Sequence, residues 1–298
     1  MRMPDTGSPR DDAASDFGRM RRRHALGVLA ARLRFEPDDV NVILPFDEVV
    51  AALGRRGERD LGLQVIELHT IVGSVDRGRD FDRSFRPTTA TVRERWQRIA
   101  TAVRRGEPMP PIDVYRIGDM HFVRDGHHRV SVARALGLPT IDAYVTEILT
   151  EVGATREIRM SDLPLKTHER LFFERVPLPP QLRHRIRPTQ RTAYAKLAEG
   201  VEAWGFRAMQ ARREFMTREE VAVAWFQGEY EPVVQMLVEV GLTGEGTETD
   251  AYMAVVTLRY LLLRTHRWDE TVLEALREQM RHPSWEDTEV RRLRRTLS

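Results

Sequence analysis

Apolar residues recur along this chain with two different periods, and each change of period marks an element. From Arg22 to Leu33 the residues Leu26, Leu29, Ala30 and Leu33 fall at helical spacing. A second short helix opens at Pro45, carries Val49, Val50 and Leu53 on one side, and stops at Gly54. Leu63 to Leu68 alternates as a strand and runs on through Ile71, Val72, Gly73 and Ser74. Thr91 to Arg105 returns to the helical period, with Val92, Trp96, Ile99 and Val103 as its stripe, and ends at Gly106 before a proline-rich stretch. Ile112 to Arg116 alternates, Gly118-Asp119 supplies a turn, and His121 to Arg124 reads as the returning strand of a hairpin. Asp125 is then placed to cap a helix whose stripe is Val130, Ala133 and Leu136, closed by Gly137 and Pro139, and Thr140 to Val145 resumes as a strand.

Beyond Thr150 five prolines punctuate a passage that still carries Leu171, Phe172, Phe173 and Val176, the pattern of a linker laid against the preceding domain. From Thr189 the period is helical throughout. Tyr194, Leu197, Val201, Trp204 and Ala208 form one stripe, Thr217 to Glu220 is a capping box, and Pro232 opens a helix that closes at Gly241. Helices are also expected at 251–263, 268–281 and 285–297. The pair Arg218–Gln227 and Pro232–Val240 is spaced like a helix-turn-helix, but its second helix is apolar and acidic where a base-reading helix carries Arg, Asn or Gln, so it is assigned to the core. The expected organisation is α+β: a disordered tail at 1–20, a helical arm at 21–60, a mixed domain at 61–150, a linker packed on the core at 151–188, and an α-helical domain at 189–298.

At 298 residues the chain is long enough for two cores. It has no cysteine, which excludes disulfides, thiolate metal sites and thiol nucleophiles. All but two of its 47 basic residues are arginine, Lys166 and Lys196 being the exceptions, yet the formal net charge is only +2. Nucleic-acid binding therefore needs a local patch, and Arg19–Arg23 and Arg291–Arg295 are the candidates. No apolar run is long enough to span a bilayer and no charged-then-apolar leader opens the chain, so the expected location is the cytoplasm, with no membrane partner.

The stretch Asp125-Gly126-His127-His128-Arg129 is the chemical signal. A glycine between strand and helix lets an anion approach bare backbone, where the first helical N–H groups carry roughly half a positive charge. Gly126, His127 and His128 are expected to lend N–H groups, and Arg129 a bidentate phosphate contact. The same residues would also make a plain cap and turn. His121 with His127 and His128 is not read as a metal site, because adjacent histidines at a helix start diverge.

These residues, with the strands that flank them, resemble the ParB/sulfiredoxin superfamily over about Leu63 to Val145. The resemblance implies a ParB/sulfiredoxin-like nucleotide-binding domain that takes a nucleoside triphosphate, CTP or ATP with Mg²⁺, at this turn. It further implies that Gly73, Ser74 and Arg77 line the facing wall and that Asp125 serves catalysis. Asp76 and Asp80, with Asp82 beside them, are candidate carboxylates for the Mg²⁺. Family members use the platform in three ways: nucleotide hydrolysis in a DNA clamp, sulfinic-acid repair, and phosphorylation of free serine. The absence of cysteine removes the second. The expectation is a bacterial nucleotide-binding protein with slow hydrolysis. The alternatives are a small-molecule phosphotransferase and a ParB-type DNA-binding or chromosome-partitioning factor. A homodimer and weak, nonspecific DNA contact are further partner expectations. The loop after Gly73 departs from the ParB pattern, and no DNA-reading domain follows.

Overall fold

A computed structural model describes residues 6–34, 41–76, 80–239, 241 and 246–263. The chain divides into two compact units between Thr167 and His168.

The first unit opens with α1 (Pro9–Leu33), followed by β1 (Leu44–Pro45), α2 (Phe46–Leu53), β2 (Arg55–Glu67) and β3 (Ile71–Ser74). After a long loop come α3 (Arg93–Arg104), the hairpin β4 (Ile112–Ile117) and β5 (Met120–Asp125), α4 (His127–Ala135) and β6 (Thr140–Thr150). The six strands form one mixed sheet in the order β1-β3-β5-β4-β6-β2. β5 is antiparallel to β4 and parallel to β3, while β4 is parallel to β6 and β6 antiparallel to β2. The class is therefore α+β.

On one side of the sheet α1, α3 and α4 pack together. Trp96 of α3 is fully buried, meets Phe17 of α1 edge-on at 5.5 Å, and donates its indole N–H to Ser131 Oγ of α4 at 2.8 Å. Successive residues of a strand face opposite ways. Val123 joins the Trp96 cluster while Phe122 meets Phe46 of α2 at 5.6 Å, and Phe46 also stacks on Tyr115 at 4.5 Å.

The second unit is helical. It contains most of α5 (Leu163–Arg175), the single turn α6 (Pro180–Arg183), α7 (Arg191–Arg212), α8 (Arg218–Trp225), α9 (Glu231–Glu239) and α10 (Glu248–Leu263). Thr217 and Glu220 form the expected capping box on α8. Its core is aromatic: Trp225 donates to Tyr252 Oη at 3.1 Å, and Tyr230 Oη lies 2.8 Å from Thr249 Oγ1 and donates to the Arg185 carbonyl at 2.9 Å. Val233, Val234 and Leu237 are buried, as the core assignment of α9 requires.

Four expectations are corrected. Residues 9–20 are helical rather than disordered, because Asp12 and Asp16, which read as solvent-facing, are buried against Arg104 of α3. The segment 21–60 is not a purely helical arm, since β2 begins at Arg55. Residues 168–188 belong to the helical unit rather than to the first domain: Phe172 meets Tyr194 of α7 at 5.7 Å. Pro232 does not open a separate helix, because a π-helical turn at Phe226–Tyr230 joins α8 to α9 without a break. The helices expected at 268–281 and 285–297, and the cluster Arg291–Arg295, lie outside the described residues.

Candidate functional site

The turn between β5 and α4 is fixed by Gly126, which adopts φ +106°. An L side chain is strained there, and a Cβ would also sit 2.4 Å from Ile112 Cγ2. Sterics and backbone conformation thus demand glycine independently. The expected cap is corrected by this geometry: Gly126, not Asp125, occupies the N-cap position, and no side chain caps α4.

Asp125 ends β5, is 60% exposed, and pairs with Arg129 one helical turn on. Arg129 is only 17% exposed. Besides Asp125 it donates to the carbonyls of Pro110 (3.0 Å) and Pro111, so its guanidinium ties the first turn of α4 to the segment leading into β4. The bidentate face expected to meet phosphate is already occupied by protein.

Both histidine side chains point inward. His127 Nε2 lies 2.7 Å from Ser74 Oγ, and its ring is flanked by Phe81 and Phe85 at 6.4 and 6.3 Å. His128 meets Phe81 edge-on at 5.4 Å. The structure thus brings Ser74, at the end of β3, against His127, from 53 residues away, and the loop phenylalanines hold that contact. Gly73 is buried beside them for a packing reason: a Cβ would lie 2.2 Å from Phe122 and 2.6 Å from the Leu44 carbonyl. Arg77 lies outside the described residues.

Of the three acids, Asp76 is exposed and Asp80 half-buried. Asp82 is committed to the loop: its carboxylate accepts the amides of Ser84 and Arg86 at 2.9 Å and faces His24 Nδ1 at 2.8 Å. Among the described residues no group of three or more His, Asp or Glu side chains converges on one point.

The turn opens on a cavity of about 40 Å³ lined by Arg95, Ile99, Asp125 and the start of α4. Arg95 of α3, exposed and facing this opening, is the residue that sequence reading misses. It sits on the polar side of an amphipathic helix, where an arginine carries no signal.

No family model matches the chain, and no curated protein matches it. Among solved structures it is similar to a Pnob8-like ParB-N domain. The identity is 12%, the match covers 80% of this chain and 94% of that one, and the TM-score is 0.21. So loose a superposition carries no argument about descent or activity, and the site is interpreted on its own geometry.

Two other groups shape the same sheet. His121 on β5 is buried with Nδ1 2.8 Å from Thr70 Oγ1, and burial, with Arg116 nearby, pushes its pKa down to about 4. Arg134 near the end of α4 donates to the carbonyls of Leu68, Ile71 and Arg83. Burial, with Arg86 adding to it, pulls its pKa down to about 10. Among the described residues no helix is long and apolar enough to cross a membrane.

Proposed function

We propose that this is a ParB-like protein that binds the phosphates of a nucleoside triphosphate, CTP or ATP with Mg²⁺, over the turn Asp125–Arg129. The observation that carries the reading is the uncapped start of α4 at Gly126, opening beside the exposed arginine Arg95. A helix start that no side chain caps, with a guanidinium nearby, is a favourable environment for a phosphate. Gly126, His127 and His128 contribute main-chain N–H groups. The histidine rings, with Ser74, hold the turn from behind, and Arg129 holds it from the side. The opening is small, so only the phosphate end enters. A Mg²⁺ carried by a triphosphate needs one or two protein carboxylates, and the exposed Asp125 fits that part, with Asp76 on the facing loop.

The exposure of Asp125 also favours a second reading, phosphoryl transfer to a small acceptor as in free-serine kinases, with Asp125 taking the acceptor proton. Turnover that requires the acceptor separates it from simple hydrolysis.

The test is a thermal-shift and calorimetric series with ATP, CTP, ADP and GTP plus Mg²⁺. A ligand at a hundredfold its Kd stabilises the fold by about 2.7 kcal/mol. Arg95→Ala should weaken binding about tenfold or more while leaving the fold intact, since a charge-assisted hydrogen bond is worth about 1.5 to 3 kcal/mol. Asp125→Asn should bind and fail to turn over. The absence of any shift at millimolar nucleotide, or full affinity in Arg95→Ala, removes the reading.

A further inference from the structure

At the opposite end of α4 from Gly126 lies a larger cavity, about 900 Å³. Its walls come from α1, the β2–β3 connection, the loop after Asp80, the end of α4 and the stretch after β6. Five arginines line it: Arg23, Arg83, Arg86, Arg134 and Arg156. Glu67 is the one carboxylate among its described lining residues, and it faces His69 at 3.0 Å.

These arginines hold one another in place through main-chain carbonyls. Arg86 donates to the Arg23 carbonyl at 3.1 Å, Arg83 to that of Arg156 at 2.6 Å, and Arg134 to that of Arg83 at 3.1 Å. A carbonyl orients a guanidinium without cancelling its charge. Asp82, behind the cavity, offsets Arg134 in part, but it also faces His24 and accepts two loop amides. Glu157 meets Arg156 on the outside at 3.2 Å. Burial is the main reason that Arg134 is less basic than an ordinary arginine, and Arg86 adds a smaller like-charge contribution. Such a concentration of cations in one cavity of a nearly neutral chain is a favourable setting for an anionic ligand.

We infer that this arginine-lined cavity is a second binding site, distinct from the α4 turn, for a small ligand carrying two or more phosphate groups. The volume falls within the usual range for small-molecule pockets, roughly 300 to 1,000 Å³. Guanidinium groups converging from separate segments suit adjacent phosphates, which each accept paired N–H donors.

The probe is inorganic tripolyphosphate, titrated into the full chain near physiological salt. Arg23 and Arg156 are both exposed, and they serve their neighbours through backbone carbonyls that survive substitution. The pair Arg23→Ala/Arg156→Ala should therefore keep the parental melting temperature and weaken tripolyphosphate binding about tenfold or more. The same drop should occur in an Arg95→Ala background, which removes the side chain at the α4 turn, so the fate of one site does not decide the other. No binding, an unchanged affinity in the pair, or a drop seen only while Arg95 is present would overturn the assignment. So would a 20-base-pair duplex that displaces tripolyphosphate at lower concentration and is lost in the same pair, since the cleft would then belong to a nucleic-acid backbone.

Discussion

Arg129 and Gly126 show how a residue's type can be legible while its direction is not. The spacing of Asp125 to Arg129 marks a strand-to-helix turn, and the glycine does open it. That Arg129 folds back onto Pro110 and Pro111 depends on where β4 begins, a fact of tertiary packing. The consequence is a prediction opposite in kind to a ligand contact. Arg129→Ala should lower stability by about 1.5 to 3 kcal/mol, the worth of charged hydrogen bonds to carbonyls left unsatisfied, measured by urea unfolding without ligand. Unchanged stability with lost nucleotide affinity would return Arg129 to the phosphates. His121 gives a pH signature. Its folded pKa of about 4 lies below the ordinary 6.5, so between those values the unfolded chain binds a proton that the folded chain refuses. Stability from this group is intact above pH 6.5, falls as pH drops, and is flat again below about 4, a loss of about 3 kcal/mol in all. Carboxylates push the same way at low pH, so the measurement is the difference between parent and His121→Gln. Parallel stability curves from pH 7 to 4 would contradict it.

Elements are legible where burial follows a simple period and obscure where polar groups are buried in pairs. The β4–β5 hairpin reads directly because Gly118-Asp119 separates two short strand-like runs and Gly118 makes the turn with positive φ. The start of α1 does not, because Asp12 and Asp16 look solvated until Arg104, 88 residues beyond Asp16, arrives to pair with them. β2 is recognisable only from Leu63 onward. Its first half is charged and exposed, and is held by cross-strand pairs such as Arg59–Glu147 at 2.6 Å. Helix α7 offers a test in which packing and propensity oppose each other. It contains Gly200, with nothing within 4 Å of a built Cβ, and Gly205, where a Cβ would lie 2.5 Å from Val221 of α8. Alanine gains about 0.8 to 1 kcal/mol of helix propensity over glycine. Gly200→Ala should therefore raise the melting temperature. Gly205→Ala should lower it, because overpacking costs about 1 to 3 kcal/mol against that gain. Equal stabilisation by both would mean that α7 and α8 do not approach as described.

On the scale of the whole molecule, charge is nearly balanced in sum and strongly uneven in place. The formal net charge of +2 gives little long-range attraction for a polyanion, yet five arginines share one cavity of the first unit. Composition reveals the first fact and hides the second, since the five come from positions 23 to 156 and only the fold gathers them. Duplex DNA should accordingly meet few cations at once. Arg134 is spent on three carbonyls and Arg83 reaches the Arg156 carbonyl, which leaves Arg23, Arg86 and Arg156 as the described cleft residues best placed to reach outward. Neutralising about three phosphates gives a slope near −3 when the logarithm of the association constant is plotted against that of salt concentration. Binding should then be weak, indifferent to sequence, and nearly gone at physiological salt. An extended interface that neutralises about six to ten phosphates would instead give a slope of about −5 to −9. Fluorescence polarisation of a labelled duplex between 50 and 200 mM salt distinguishes the two, since about 0.6 of a decade in salt changes affinity by less than two decades in the first case and by three or more in the second. A steep slope with discrimination between sequences would place a dedicated DNA surface elsewhere on the chain and demote the cleft to a minor contributor.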